Sequence, residues 1–115
     1  MNYDSQNTKS IVITTAGITR QFIVACITHV VCDGCLCDIY IEGNEKITCV
    51  RLLKYFENEL GTYGFMRISH NVIVNAKYIK QINNKNKEIL LTTNTKLKVS
   101  RRKWVLFKKN FMALP

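Results

Sequence analysis

The sequence predicts a mainly β fold of short antiparallel strands carrying two short helices. Three observations lead there. Apolar residues alternate or cluster over four to six positions through most of the chain, as in half-buried strands. These runs are separated by Gly- and Asn-rich breaks typical of tight turns. At only two places does the apolar spacing change to a helical period, around Arg51–Leu60 and Arg101–Phe111.

Taken in order, residues 1–9 are polar and predict a loose N-terminal segment, with one domain over residues 10–115. Ser10–Thr14 and Thr19–Ala25 form a hairpin about Ala16-Gly17. Ile27–Val31 is a third strand. Asp33-Gly34 turns the chain into Cys35–Glu42, and Gly43-Asn44 turns it into Lys46–Val50. Leu52, Leu53, Phe56 and Leu60 then fall on one helical face, and Gly61 stands where a helix C-cap belongs. Phe65–Ile68 and Val72–Val74 flank Ser69-His70-Asn71. Ile79–Ile82 and Glu88–Thr92 flank a tip of Asn and Lys, and Lys96–Val99 comes after a turn at Asn94. Ser100 caps the second helix, whose buried side is Trp104, Phe107 and Phe111.

Charge is distributed unevenly. Residues 1–76 hold six Lys/Arg against seven Asp/Glu, a net of −1, whereas residues 77–115 hold eleven against one, a net of +10. Such asymmetry predicts a basic face and an anionic partner. No apolar run reaches the roughly 18 residues of a spanning helix. The start, MNYDSQNTKS, lacks the basic-then-apolar pattern of a secretory signal, so a cytoplasmic location and no membrane contact are expected.

Cys26, Cys32, Cys35, Cys37 and Cys49 are odd in number, which argues against a disulfide framework. Cys32, Cys35 and Cys37 have zinc-like spacing, with Cys49 or His29 as a further ligand. The simpler reading is reduced thiols on buried strands. Gly-rich phosphate loops and G-x-S-x-G are missing, so neither an enzyme nor a cofactor is expected.

Nucleic-acid binding is the function the residues favour. Lys and Arg neutralise phosphates, while base edges call for Arg, Asn or similar groups. His70, Asn71, Arg101 and Arg102 have the right chemistry and stand at loops or element ends.

The order of segments resembles the LytTR-type DNA-binding domain over about Ile27 to Phe111. The likeness runs through VVCDGCLCDIYIEGNEKI and the helix LLKYFENEL. It is strongest in FMRISHNVIVNAKYIKQI and closes on LKVSRRK, with Val74-Asn75 and Ser100–Arg102 the most specific parts. The resemblance implies an elongated arrangement of the strands, with loops entering successive major grooves of promoter DNA, at repeated sites. It implies base contacts from Cys37 or its neighbours, from His70 with Asn71, and from Arg102. Lys77, Lys85, Lys87, Lys96, Lys98, Ser100, Arg101 and Lys103 are the candidate phosphate contacts. It further implies a stand-alone domain, or a fragment lacking its regulatory part, with control coming from a separate regulatory protein. Two alternatives remain: a general RNA or single-strand binder, and a thiol or zinc sensor.

Overall fold

The structure, a computed structural model, describes residues 9–114. The loose segment expected over residues 1–9 lies outside these, apart from Lys9, whose carbonyl accepts from the Val24 N–H at 2.8 Å. The described chain forms ten strands and two α-helices. β1 (Ser10–Thr15) and β2 (Ile18–Ile23) form the opening hairpin. Its loop residues Ala16 and Gly17 both have positive φ (52° and 79°), so the turn twists with the strands it joins.

β3 (Ile27–Asp33), β4 (Leu36–Ile41), β5 (Glu45–Val50), β6 (Phe65–Ser69) and β7 (Val72–Asn75) make one antiparallel sheet in the order β5-β4-β3-β7-β6. β8 (Ile79–Asn83), β9 (Glu88–Leu91) and β10 (Lys96–Lys98) make a second, in the order β10-β9-β8. α1 (Leu53–Leu60) crosses between β5 and β6, and α2 (Arg101–Met112) ends the chain. The period changes at 51 and 101 thus mark helices. The elements differ from expectation mainly at their ends: the second strand stops at Ile23, and Val24–Cys26 form a 3-10 turn.

Both faces of the five-stranded sheet are covered. On one face Val30, Ile39, Ile47 and Ile73 pack with Ile11, Ile13 and Phe22 of the hairpin and with Leu53, Phe56 and Leu60 of α1. On the other, Ile68 and Val74 pack with Ile89 and Leu91 of β9 and with Trp104 and Phe107 of α2. The two-residue alternation along β7 explains the division: Ile73 points to the first core and Val74 to the second. The resulting body measures 44 × 40 × 24 Å. Its radius of gyration of 14.1 Å exceeds the roughly 13 Å of a compact domain near 100 residues, in keeping with a flattened shape that has two long axes and one short one.

Asn75 explains part of the Val74-Asn75 motif. The side chain is buried, donates through Nδ2 to the Ile27 carbonyl at 3.0 Å, and accepts from the Lys77 N–H at 3.2 Å. It joins the end of β7 to the start of β3 and caps the adjoining 3-10 turn. A buried amide with partners on both sides avoids the desolvation cost of an unpaired polar group.

The cysteines require a correction. They are not all thiols: Cys32 and Cys37 form a disulfide, and Cys26, Cys35 and Cys49 are free. The register pairs Cys32 directly with Cys37 across β3 and β4, on the side facing the first core. Directly opposed residues hold their Cβ atoms close enough to bond. Sequence spacing alone does not show that register. His29, a possible metal ligand by its place in the sequence, is buried and stacks on Tyr40 with ring centroids 4.2 Å apart.

Candidate nucleic-acid interface

Five turns and element ends stand in a row along one edge of the scaffold, tied to each other by four backbone hydrogen bonds. The Arg51 N–H donates to the Cys35 carbonyl at 2.8 Å, joining the end of β5 to the β3–β4 turn. The Cys32 N–H donates to the Asn71 carbonyl at 2.8 Å, joining that hairpin to the β6–β7 turn. The Ser100 N–H donates to the Ile68 carbonyl at 2.8 Å, seating the start of α2 against β6. The Val99 N–H donates to the Lys87 carbonyl at 2.9 Å, adding the β8–β9 tip. Each strand end is therefore fixed by its neighbour, as a positioned binding loop requires.

A bulge at Ile68 makes the third link possible. Arg67 pairs with Ile73 and Ser69 with Val72, leaving Ile68 as the extra residue. Its side chain is fully buried in the second core, and its carbonyl is the one Ser100 uses. Bulges bend a strand and re-aim the residues next to them; the turn just beyond this one carries His70.

His70 is exposed at that turn. Asn71 is half-buried; its Oδ1 accepts from the Ser69 hydroxyl at 2.8 Å, which leaves its amide nitrogen to donate outward. Arg67 lies behind the turn. Its Nε donates to the Ser69 carbonyl at 3.0 Å, its Nη2 to the His70 carbonyl at 2.7 Å, and its Nη1 pairs with Glu57 of α1 at 3.2 Å.

The start of α2 is a dense positive site. Ser100 Oγ accepts from the Lys103 N–H at 3.3 Å, the N-cap that the sequence predicts. The first turn carries Arg101, Arg102 and Lys103 and no acidic residue. Arg101 and Arg102 are exposed. Lys85, Lys87, Lys98 and Arg101, with Ser100, line an open cleft of about 530 Å³ that contains a single carboxylate, Glu88. At the tip above it, Asn83 Oδ1 accepts from the N–H groups of Lys85 and Asn86 at 3.0 and 2.9 Å, and Lys87 takes a positive φ of 54°. Among the described residues no carboxylate forms a salt bridge with these cations; the two salt bridges are Arg20–Glu45 and Arg67–Glu57. Three cations at a helix N-terminus oppose the helix dipole, which favours negative charge there. An anion seated among them relieves both repulsions.

Other expected contacts lie apart from this row. Cys37 is fully buried and bonded to Cys32, so its side chain is not open to a base edge; the exposed cation at that end is Arg51. Lys77 comes just after β7, at the opposite end of that strand from His70, with its amino group 5.5 Å from the Tyr78 ring centre. Lys96 is exposed on β10, opposite Leu90. Sequence reasoning passes over Arg67 and Arg51. Arg67 has a visible signal, since it is the one charged residue in the apolar run before Ser69-His70-Asn71. Arg51 is hidden by the helical spacing around it, although the helix itself begins at Leu53.

A twisted β scaffold that lines up its turns and the cationic start of a helix along one edge is the design of a β-class nucleic-acid-binding module. The sequence profile of the LytTr DNA-binding domain matches residues 22–112, and the chain belongs to that family: it is a DNA-binding domain. The fold is similar to the solved LytTr DNA-binding domain of a putative methyl-accepting/DNA response regulator from Bacillus cereus. That match has a TM-score of 0.73 at 16% identity and covers 91% of this chain and 97% of the other. No curated protein sequence matches significantly. Among the described residues no helix is long and apolar enough to cross a membrane.

Proposed function

We propose that the protein is a cytoplasmic transcription regulator that reads double-stranded promoter DNA in its major grooves, at repeated sites, under a separate regulatory protein. His70, Asn71 and Arg102 contact bases. Lys85, Lys87, Lys98, Ser100, Arg101 and Lys103 hold phosphates, with Lys77 and Lys96 as outlying phosphate contacts. The observation that carries this reading is the uncompensated positive cluster at the start of α2, set beside an exposed turn that presents His70. A cation cluster supplies affinity without sequence information, and projecting polar side chains supply the discrimination.

Two features weigh against the alternatives. Single-strand binders stack bases on open aromatic rings, and no aromatic residue among those described is fully exposed. A zinc site built on Cys32, Cys35 and Cys37 needs free thiolates, whereas Cys32 and Cys37 are bonded to each other. Selection from a random duplex pool, then competition against nonspecific duplex at physiological salt, tests the proposal. Recovery of a repeated motif that competes far better than scrambled duplex supports it; equal competition overturns it.

A further inference from the structure

We propose that Arg67 is a positioning residue for base reading: its guanidinium holds the two carbonyls of the β6–β7 turn and thereby fixes the direction in which His70 projects. The inference rests on the reading that this turn meets DNA. Two-residue hairpin loops are normally set by residues of positive φ. The β1–β2 loop obeys that rule, but neither His70 nor Asn71 has positive φ. Backbone conformation alone therefore does not lock the turn. The Ser69 hydroxyl, bonded to Asn71 Oδ1 at 2.8 Å and to the Asn71 N–H at 3.4 Å, and the Cys32 N–H on the Asn71 carbonyl brace Asn71, and none of them reaches the His70 carbonyl.

Arg67 provides the missing constraint from outside. Its three donors reach consecutive carbonyls, Ser69 at 3.0 Å and His70 at 2.7 Å, and the Glu57 carboxylate at 3.2 Å. A planar fork satisfies all three at once, which a Lys ammonium on a flexible stem does not. Glu57 belongs to α1, whose Phe56 and Leu60 are fully buried, so the fork anchors the turn to the first core. Glu57 also neutralises the guanidinium. Arg67 therefore acts on His70 and contributes little to the attraction of phosphates.

The test compares wild type, Arg67→Lys, Glu57→Gln, His70→Ala and the Arg67→Lys/His70→Ala double variant. Each is titrated with the selected duplex and a scrambled one at two salt concentrations, and backbone order parameters are recorded without DNA. Arg67→Lys is expected to lower the preference for the selected duplex about ten-fold, in line with loss of one well-oriented base contact. Affinity for the scrambled duplex and the salt slope should stay unchanged, and the order parameters at His70 and Asn71 should fall. Glu57→Gln should lower the preference and the order parameters more weakly, with a rise in affinity for both duplexes because the guanidinium is no longer neutralised. Adding Arg67→Lys to His70→Ala should cost clearly less than the product of the two single losses, because both act on one turn. Full preference retained in Arg67→Lys, equal loss on both duplexes, or multiplying losses in the double variant each overturn the proposal. If wild type itself prefers neither duplex, the DNA-reading function fails. Unchanged order parameters would separately sink the role of Arg67.

Discussion

At the scale of single residues, Arg102 and Lys98 divide the work. Arg102 is exposed in the first turn of α2, with the helix start fixed beside β6. Its fork suits a guanine edge, whereas Lys98 faces the cleft as a point charge suited to phosphate. Arg102→Ala should cost about 1–3 kcal/mol on the preferred duplex and relax preference at one or two base pairs. Lys98→Ala should weaken all duplexes alike and shrink the salt slope by roughly one unit. Titration of both variants against selected and scrambled duplexes checks this; equal weakening by Arg102→Ala would make it a phosphate clamp. The sequence reveals the residue types here but not their neighbours. Cys37 shows the limit: the family resemblance implies a base contact there or at its neighbours, and strand register reveals that Cys37 itself faces inward toward Cys32.

His29 gives a second residue-scale prediction. Burial lowers its pKa from 6.5 to about 4. Thr28 Oγ1 donates to the Tyr40 carbonyl at 3.2 Å, which leaves its oxygen to accept from His29 Nδ1–H at 2.8 Å and selects the Nδ1–H tautomer of the ring that burial keeps neutral. The unfolded chain therefore takes up a proton between pH 6.5 and 4 that the folded one excludes, and stability falls as pH drops through that window. At about 1.4 kcal/mol per pKa unit, the full effect is of the order of 3 kcal/mol. Urea midpoints at pH 7 and pH 5 should differ in wild type and differ less in His29→Phe. An unchanged difference in the variant would assign the pH dependence to other groups.

At the scale of elements, the helices are legible because an apolar stripe at helical spacing must face a core whatever that core is. α1 buries Leu53, Phe56 and Leu60 and α2 buries Trp104 and Phe107, all of them predicted positions. Strand ends are less legible, since hydrogen-bond partners far away in sequence decide where pairing stops. The bulge at Ile68 leaves no mark in the sequence at all: FMRIS reads as an ordinary short apolar strand, and only the register shows the extra residue, which packs into the second core. α2 is the element on which stability and binding conflict most directly. Its N-cap at Ser100 offsets part of the repulsion among three cations at the positive end of the helix. Ser100→Ala should destabilise the protein by about 1 kcal/mol, and added duplex should restore much of that loss, because phosphates meet the same N–H groups. Thermal melts with and without DNA measure it; an undiminished loss in the presence of DNA would detach the cap from the phosphate site.

At the scale of the molecule, the row of turns sets how many charges one straight duplex can meet. The scaffold brings Lys85, Lys87, Lys98, Arg101, Arg102 and Lys103 together around the start of α2. Lys77 lies beyond the other end of β7, a strand that spans about 13 Å at the usual rise per residue. Neutralising about six phosphates gives a slope of log affinity against log salt of about −5. The slope is a count of charges in contact, so it distinguishes a local grip from a wrap around the body. With a local grip, Lys98→Ala reduces the slope by roughly one unit and Lys77→Ala by less than half as much. Equal reductions would mean that the duplex bends to reach both ends of the sheet, and a slope near zero would remove the electrostatic basis of binding. Titrations of the three proteins over a range of salt on one scrambled duplex decide among these outcomes, because on that duplex base contacts add little and the phosphate term stands alone.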